Sequence, residues 1–399
     1  MTDLFTKCYT FTAADELRQQ DLFPYFRELQ SRQDTEVIME GKRRIMLGSN
    51  NYLGLTTNPA IIEQAKRTLD EYGTGCSGSR LLNGTLILHQ QFEREMAAFL
   101  GKDDVVTFST GFQSNLGIVS ALVGRSDYMI CDKENHASIY DGCKLSYGRM
   151  LRYNHSDMDG LESQLKKVPE SAGALIITDG VFSMGGDIAK LPEIVDLAKK
   201  YGARVMVDDA HGLGVIGEGG RGTASHFGLV DQVDVFMGTF SKSLASLGGY
   251  MAAEAKVADY VRCNSRPYIF SASVPPACIA VAIASLHQMI EHPELTDRLQ
   301  SISQYMRQQL LDRGVKIRLS QTPIIPIYTY DMLTTLKIQK ELYERGVYVN
   351  ASLPPATAPN ECLLRCSLMA THTKAQIDEA VAIIAEVLSE YDLKAPDPV

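Results

Sequence analysis

Short apolar runs alternate with segments of helical periodicity between about residues 104 and 252. The runs are DVVTFS, YMICD, ALIITDG, RVMVDDA and VDVFMGTF, and segments such as LPEIVDLAKKYG separate them. Continuous apolar runs are typical of strands buried on both faces, because helices cover both sides of a parallel sheet. The alternation therefore predicts an α/β domain with a mostly parallel sheet.

After Ser273 the pattern changes to longer helices and a few strands. The helical segments are PPACIAVAIASLHQMIEHPE and ELTDRLQSISQYMRQQLLDRG, and strand-like runs follow at PIIPIYTY, VYVNAS and CLLRCSL. A last helix is predicted from about Ala375 to Tyr391. We expect an N-terminal arm over residues 1–48, a large domain over residues 49–285 and a small α+β domain over residues 286–399.

Polar side chains follow several of the predicted strands. Asp179 comes after ALIIT, Asp208 comes after RVMV, and Lys242 comes shortly after VDVFMG. Ligands bind beyond the carboxyl ends of the strands in open parallel sheets, so we expect these three residues in one site. The alternative is that each residue only forms the turn that ends its strand, an explanation that would have to hold three times.

A phosphate site is predicted at residues 108–122, FSTGFQSNLGIVSAL, where a strand, a Thr-Gly turn and a helix follow one another. Backbone N–H groups at a helix start attract a phosphate, and the helix dipole adds to the attraction. Thr239 and Ser241 can add hydroxyl donors. Two GxGxxG strings, at Gly73 and Gly212, do not lie between a strand and a helix, which argues against a dinucleotide site.

Lys242 lies among small and hydroxylic residues in GTFSKSLASLGG. A partly desolvated lysine can lose its proton near neutral pH, as a Schiff-base nucleophile must. The run VMVDDAHGLG adds Asp208, Asp209 and His211, and a buried aspartate opposite a pyridine nitrogen keeps that ring protonated. Spacing does not choose between the two aspartates. His136 can stack on the ring or carry a proton. Together these residues predict pyridoxal 5'-phosphate, held by Lys242.

Composition narrows the function classes. The chain has 399 residues, 45% of them hydrophobic, and 39 basic against 48 acidic side chains give a formal charge of −9. That balance gives no general attraction to nucleic acid. No apolar stretch is long enough to span a membrane and the first residues do not resemble a signal peptide, so we expect a cytoplasmic protein. The segment LRQQDLFPYFRELQ leaves peripheral membrane contact as an alternative to a packed arm.

No metal site is expected. The eight cysteines form no CxxC pair and the histidines form no HxxxH pair, the spacings that are typical of zinc ligands. Six histidines outside the predicted site are expected to be structural: His89, His155, His226, His287, His292 and His372.

Eight segments resemble, in the correct order over nearly the whole chain, the α-oxoamine synthases. They are GSNNYLGL, STGFQSN, DKENHASIYDG, DGVFSMGGDIAKLPEI, VDDAHGLGVIGEGGRG, MGTFSKSLASLGG, IFSAS and RCSLMATHT. The resemblance implies an aspartate aminotransferase-like fold of fold type I, with a seven-stranded, mostly parallel sheet in the large domain. It also implies a pyridoxal-phosphate enzyme that decarboxylatively condenses an amino acid with an acyl-CoA.

Within the family, four segments are most similar to the soluble bacterial members that condense L-serine with palmitoyl-CoA. They are PYFRELQSRQDTEV, YGTGCSGSRLLNGT, GTASHFGL and SLMATHT. The expected products are 3-ketodihydrosphingosine, CoA and CO2, which belong to sphingolipid biosynthesis. The alternative is a member that uses glycine or alanine with a different acyl-CoA, such as a 2-amino-3-ketobutyrate CoA ligase or an 8-amino-7-oxononanoate synthase.

The resemblance assigns roles around the cofactor. It implies that Lys242 forms the Schiff base, that Asp208 rather than Asp209 pairs with the pyridine nitrogen, that His211 hydrogen-bonds the ring hydroxyl and that His136 stacks on the ring. The residues implied at the phosphate are Gly111, Phe112, Thr239 and Ser241.

The resemblance also implies how the substrate is bound. Arg365 is expected to receive the amino-acid carboxylate, and a guanidinium fork matches a carboxylate in two parallel hydrogen bonds. The family is a homodimer with its site at the interface, which implies that Asn50, Tyr52, Ala272 and Ser273 reach in from the partner. Ser79 is also expected at the substrate. Weak candidates for a basic acyl-CoA entry are Lys42, Arg43, Arg44 and Arg80.

Two function classes outside this family remain as alternatives. The first is a catalytically silent protein of the same fold that serves as a binding module, but such a protein has no need of the full set Lys242, Asp208, His136 and Arg365. The second is a condensing enzyme with a cysteine nucleophile. No cysteine in the sequence accompanies a strand-to-helix turn with a suitable base.

Overall fold

The computed structural model describes residues 1–354, 356–358 and 360–393. The strands are β1 (Glu36–Met39), β2 (Lys42–Met46), β3 (Asp104–Phe108), β4 (Tyr128–Asp132), β5 (Arg149–Tyr153), β6 (Ala174–Asp179), β7 (Arg204–Asp208), β8 (Val235–Thr239), β9 (Gly249–Ala253), β10 (Ile324–Tyr330), β11 (Val347–Tyr348), β12 (Asn350–Ser352) and β13 (Cys362–Ser367). The helices are α1 (Thr6–Tyr9), α2 (Ala13–Gln19), α3 (Pro59–Tyr72), α4 (Ile87–Leu100), α5 (Gly111–Leu122), α6 (Ala137–Leu145), α7 (Met158–Leu165), α8 (Leu191–Tyr201), α9 (Thr223–His226), α10 (Ala255–Asn264), α11 (Arg266–Ile269), α12 (Pro276–Glu291), α13 (Glu294–Asp312), α14 (Met332–Glu344) and α15 (Lys374–Ser389).

The central sheet has seven strands in the order β3-β9-β8-β7-β6-β4-β5. β9 is antiparallel to both of its neighbours, and the pairs formed by β8, β7, β6, β4 and β5 are parallel. Side chains alternate between the two faces, as the pleat of a strand requires. In β7, Val205 and Val207 join one hydrophobic cluster, whereas Met206 joins the cluster on the other face. The predicted mostly parallel, seven-stranded sheet is confirmed.

The C-terminal part holds two small sheets. β10, β13 and β12 form an antiparallel sheet, and β11 pairs in parallel with β2 from the N-terminal part, where Ile45 lies opposite Val347. The final helix begins at Lys374, one residue before the predicted start, and ends at Ser389. Because β1 and β2 lie in a sheet with β11, the N-terminal arm is tied to the small domain. The division of the chain at residues 48 and 285 stays a prediction.

The first residues carry short, exposed helices. Neither α1 nor α2 has a buried residue. Across the described ranges, no helix is both long enough and apolar enough to cross a membrane. The cytoplasmic location and the alternative of peripheral membrane contact stay predictions.

Candidate active site

A cavity of about 280 Å³ opens at the carboxyl ends of the parallel strands. Asp179 ends β6 and lies opposite Asp208, which ends β7, and both line the cavity with Lys242. A second cavity of about 560 Å³ also reaches Lys242, His136 and His211 and extends to Arg365. The structure therefore brings the strand-end residues into one site.

Lys242 lies in a tight turn between β8 and β9. The turn is closed by the Phe240 N–H, which donates to the Gly248 carbonyl at 2.9 Å, while the Phe240 ring is fully buried. A side chain on Gly248 would clash with that ring, because its Cβ would lie 2.3 Å from it. Burial lowers the pKa of Lys242 to about 8, against the opposing effect of the Asp208 carboxylate. A substantial fraction of this amine is therefore neutral near pH 7 to 8, as a nucleophile requires.

The two neighbouring aspartates point to different surroundings. Asp209 is buried and receives hydrogen bonds from the Thr223 N–H at 2.7 Å and the Thr223 hydroxyl at 2.6 Å. Asp208 lines the cavity and receives a hydrogen bond from Asn115 Nδ2 at 2.7 Å. Only Asp208 is placed to meet a ligand, which favours the assignment that the resemblance implies.

His136 begins α6 at the cavity wall. The backbone N–H of His136 donates to Asp179 Oδ2 at 3.1 Å, and the ring Nδ1 lies 2.7 Å from the Ser138 hydroxyl. Burial lowers the pKa of His136, so the ring is largely neutral at pH 7. Burial and the charge of Asp208 raise the pKa of Asp179 well above its ordinary value. A neutral ring at this wall suits stacking on a flat ligand.

The start of α5 forms one end of the cavity. The Thr110 hydroxyl caps the helix by accepting from the Gln113 N–H at 3.1 Å, and Thr110, Gly111 and Phe112 line the cavity. Thr239 and Ser241 face them, with their hydroxyls 2.9 Å apart. Helix N–H groups and two hydroxyls thus converge as a phosphate site requires.

His211 and Arg365 meet through Tyr52. The Tyr52 hydroxyl lies 2.7 Å from His211 Nδ1 and accepts from Arg365 at 3.4 Å. Arg365 also donates to Asn50 Oδ1 at 3.1 Å and to the Ser367 hydroxyl at 2.6 Å. Burial, together with the charge of Lys242, lowers the pKa of His211 well below its ordinary value. The site therefore holds a neutral histidine beside an arginine.

The expectation that Asn50 and Tyr52 enter from a partner subunit is wrong. Tyr52 is fully buried in its own chain, and both side chains contact residues of the same chain's site. Asn50 and Tyr52 follow β2 by only a few residues, and β2 belongs to a sheet near Arg365. This short connection places both residues in the site of their own chain.

Three other predicted residues lie outside both cavities. Ser79 pairs with Ala272 in an isolated antiparallel bridge, and the Ser273 N–H donates to the Gly78 carbonyl at 3.0 Å. The Ser109 hydroxyl donates to the Ala272 carbonyl, which keeps this segment beside the phosphate end. Their roles at a partner's site or at the substrate stay predictions.

The structure also argues against two of the weak candidates for acyl-CoA entry. Arg80 is buried and pairs with Glu93 at 2.8 Å, and Arg43 pairs with Glu36 at 2.6 Å and Glu379 at 2.7 Å. Each guanidinium is thus already engaged by carboxylates.

Sequence reasoning missed several residues at the site. Asn115 donates to both Asp208 and Ser138, and the Ser183 carbonyl accepts from Arg365 Nε. Met184, next to Ser183, lines the larger cavity. Asn115 follows Gly111 by one helical turn, a spacing that could have indicated it. A backbone carbonyl such as that of Ser183 leaves no signal in the sequence.

Comparison with known proteins agrees with this geometry. The chain matches the model of the class I and II aminotransferases over residues 42–384. It is 50% identical over 385 residues to the serine palmitoyltransferase (SPT) of Sphingobacterium spiritivorum, with 96% of each chain covered. It is 42% identical over 381 residues to the 8-amino-7-oxononanoate synthase of Geobacter sulfurreducens, covering 95% of this chain and 97% of that protein.

A high-resolution structure of SPT with a PLP internal aldimine matches with a TM-score of 0.95 and 36% identity, covering 98% of this chain and 99% of the other. The predicted family and the predicted fold type are therefore confirmed. On this fold, this site and these similarities, the chain belongs to the class I and II aminotransferase family, in its α-oxoamine synthase branch.

Proposed function

We propose that this chain is a pyridoxal-phosphate-dependent serine C-palmitoyltransferase, which condenses L-serine with palmitoyl-CoA to 3-ketodihydrosphingosine, CoA and CO2. The observation that carries the reaction class is the placement of Lys242 between the Asp208 carboxylate and the Arg365 guanidinium in connected cavities. The choice of L-serine and palmitoyl-CoA is supported by the 50% identity to an SPT over 96% of both chains.

The residues present fit pyridoxal phosphate. In the described residues, Oδ1 of Asp179 is a buried oxygen at the cavity wall that lacks a hydrogen-bond partner, so the wall has polar capacity for a ligand. A Cβ on Gly111 would lie 2.6 Å from the Thr239 hydroxyl oxygen, so the backbone is open to a phosphate only because residue 111 is glycine. Lys242 would hold the cofactor's aldehyde carbon, Asp208 its pyridine nitrogen, and Gly111, Phe112, Thr239 and Ser241 its phosphate.

When bound, the cofactor supplies an electron sink for the charge that develops at the amino-acid Cα. Arg365 binds the substrate carboxylate, because its buried guanidinium can redirect donors from Asn50 and Tyr52 to an incoming anion. Lys242 Nζ, once the substrate amine has displaced it from the cofactor, would remove the Cα proton and return one at the end. The lowered pKa of Lys242 suits both tasks at neutral pH.

His136 and His211 orient the reacting groups. The Tyr52 hydroxyl accepts from Arg365, so it can donate its own proton to His211 Nδ1 and leave the proton of His211 on Nε2. His211 Nε2 would then be free to donate to the hydroxyl of a bound cofactor, and His136 would stack on its ring. His211 is buried and helps to keep water from the reacting Cα, whereas His136 is exposed at the cavity wall.

The acyl-CoA is placed in the larger cavity. About 560 Å³ is far more than serine fills, and the walls beyond Lys242 include the apolar residues Pro24, Met184, Val349 and Leu353. Apolar walls next to the reacting atom suit a long acyl chain better than a short polar one.

We also propose a homodimer with a shared site. Large apolar side chains are exposed on the two segments that the Ser79–Ala272 bridge joins, namely Leu81, Leu82 and Phe270. Phe112 and Leu247, which line the smaller cavity, are exposed as well. An apolar patch of this kind on a folded surface is typical of a subunit interface. Ala272 and Ser273 lie at this patch and would serve the partner's cofactor.

Mixed dimers test the shared site. Lys242→Ala chains are combined with Ala272→Arg chains, each inactive as a homodimer. In the hybrid, one site has an intact Lys242 and an intact Ala272, so activity should return. Failure to recover activity from hybrids whose formation is shown by differently tagged chains would contradict the shared site.

The second candidate function is condensation of glycine or alanine with another acyl-CoA, which the 42% identity to an 8-amino-7-oxononanoate synthase supports. The deciding experiment is a spectral titration of the cofactor-loaded enzyme with L-serine, glycine and L-alanine. A saturable shift with L-serine alone supports the proposed function, and a shift with only glycine or L-alanine overturns it. Lys242→Ala should lack the visible absorbance of the bound cofactor and all condensation, and retention of either would overturn the role of Lys242.

A further inference from the structure

His155 lies behind the site, between two loops that carry site residues. Its Nδ1 is 3.1 Å from Asp132 Oδ1 and its Nε2 is 2.7 Å from Asp187 Oδ2. The ring packs edge-on against Phe182 with centroids 4.4 Å apart, and the side chain is only 15% exposed. A ring nitrogen donates to a carboxylate only when it carries a proton, so two such contacts require the imidazolium form.

The charges around His155 favour this form. The Glu134 carboxylate lies 3.8 Å from Nε2, and Arg318 lies 3.2 Å from the other oxygen of Asp187. Burial acts to lower the pKa of His155, but the hydrogen bonds to Asp132 and Asp187 outweigh it and raise the pKa to about 10. His155 is therefore a fixed positive charge at neutral pH, between carboxylates from two separate segments.

The first of these segments leads to His136. Asp132 ends β4, and its carboxylate also accepts from the Glu134 N–H at 2.9 Å and the Ser156 N–H at 3.0 Å. These bonds fix the turn that ends at His136. The backbone N–H of His136 donates to the Asp179 carboxylate at the cavity. A shift of Asp132 would therefore move the ring of His136.

The second segment supports Arg365. Phe182 and Asp187 close a loop, because the Phe182 N–H donates to the Asp187 carbonyl at 2.9 Å. Within that loop, the Ser183 carbonyl accepts from Arg365 Nε and Met184 lines the larger cavity. A shift of Asp187 would therefore change the orientation of the Arg365 guanidinium.

We propose that His155 is a positioning residue for amino-acid binding, because it joins Asp132 to Asp187 and so keeps His136 and Arg365 in register. This inference rests on the proposed function only in that an amino acid binds at Arg365. It requires no particular side chain on that amino acid, since Arg365 receives the carboxylate that all amino acids share.

The test measures binding by spectral titration of the cofactor-loaded enzyme, using whichever of L-serine, glycine and L-alanine shifts the wild-type spectrum. His155→Gln should raise the Kd of that amino acid by about tenfold. A change of this size corresponds to the loss of one charge-assisted hydrogen bond that orients the site. The KM for acyl-CoA should change less than the Kd of the amino acid, because Ser183 and Met184 form only part of the wall of the larger cavity. His287→Gln is the matched control, since His287 pairs with Glu95 at the same 2.7 Å on the surface.

Asp187→Asn removes the charge of the carboxylate that pairs with His155 and keeps the shape of the side chain. This variant takes the place of His155→Gln in the test if His155→Gln folds poorly. The double variant should bind the amino acid no more weakly than the weaker single variant, because the His155–Asp187 contact that Asp187→Asn weakens is already lost in His155→Gln. Additive losses would overturn the inference, as would a Kd in His155→Gln equal to that of His287→Gln. A wild-type enzyme that binds none of the three amino acids would overturn the proposed function instead.

Discussion

Asn115 donates one hydrogen bond to Asp208 at 2.7 Å and another to the Ser138 hydroxyl at 2.8 Å. The Ser138 hydroxyl in turn lies 2.7 Å from His136 Nδ1. Helix α5, whose start lines one end of the cavity, thus also holds the Asp208 carboxylate and reaches His136 through the Ser138 hydroxyl. One short helix therefore fixes the distance between the groups that the proposed function assigns to the two ends of the cofactor.

Asn115→Leu should weaken cofactor binding while the protein stays folded. Leucine fills a similar volume but cannot donate to the Asp208 carboxylate, and a hydrogen bond to a charged group contributes about 1.5–3 kcal/mol. The Kd of pyridoxal phosphate for the apoenzyme should rise by about tenfold or more, measured by absorbance titration. The control is Asn264→Leu, because Asn264 is exposed and its side chain donates to the Tyr260 carbonyl. An unchanged Kd in Asn115→Leu would show that Asp208 needs no such support.

Gly111→Ala should disturb the phosphate end specifically. The added Cβ would lie 2.6 Å from the Thr239 hydroxyl oxygen and 2.7 Å from its Cβ, so Thr239 or the start of α5 must move. We expect weaker binding of pyridoxal phosphate and little change in the affinity for pyridoxal, which lacks the phosphate. Gly75→Ala is the matched control, because nothing lies within 4 Å of a Cβ there. An equal loss of affinity for both ligands would contradict a local effect on the phosphate.

Much of the fold and the cofactor end of the site can be predicted from the sequence, because strand periodicity and strand-end residues such as Asp208 and Lys242 are local signals. Asn50 and Tyr52 show the limit: their motif is recognisable, but which chain's site they enter depends on how β2 pairs with β11. Arg80 shows a second limit. Its partner Glu93 lies on a separate helix, so only the folded chain reveals that the charge of Arg80 is already neutralised.

Recombination of the apoenzyme with pyridoxal phosphate should speed up as the pH rises through about 8. Only the neutral amine of Lys242 attacks the aldehyde, and burial lowers the pKa of Lys242 to about 8. The rate of return of the visible absorbance should therefore level off above that pH, far below the pKa of an ordinary lysine near 10.4. A rate still rising steeply at pH 10 would show that Lys242 is not perturbed.

The contribution of His155 to stability should disappear at high pH. Its pKa is about 10 in the folded chain, against 6.5 for the unperturbed group, so the folded state binds its proton more tightly. That stabilisation is fully present below about pH 6.5, falls as the pH rises between the two values and is lost once the pH passes about 10. The difference in Tm between wild-type and His155→Gln apoenzyme should accordingly be largest near pH 6 and shrink toward pH 10, measured by thermal unfolding across that range. Titration of Lys242 occurs in both proteins, so to a first approximation it cancels in the difference. A Tm difference that is the same at pH 6 and pH 10 would mean that His155 carries no extra proton in the folded chain, and the two carboxylates beside it would then have to be joined by a neutral ring.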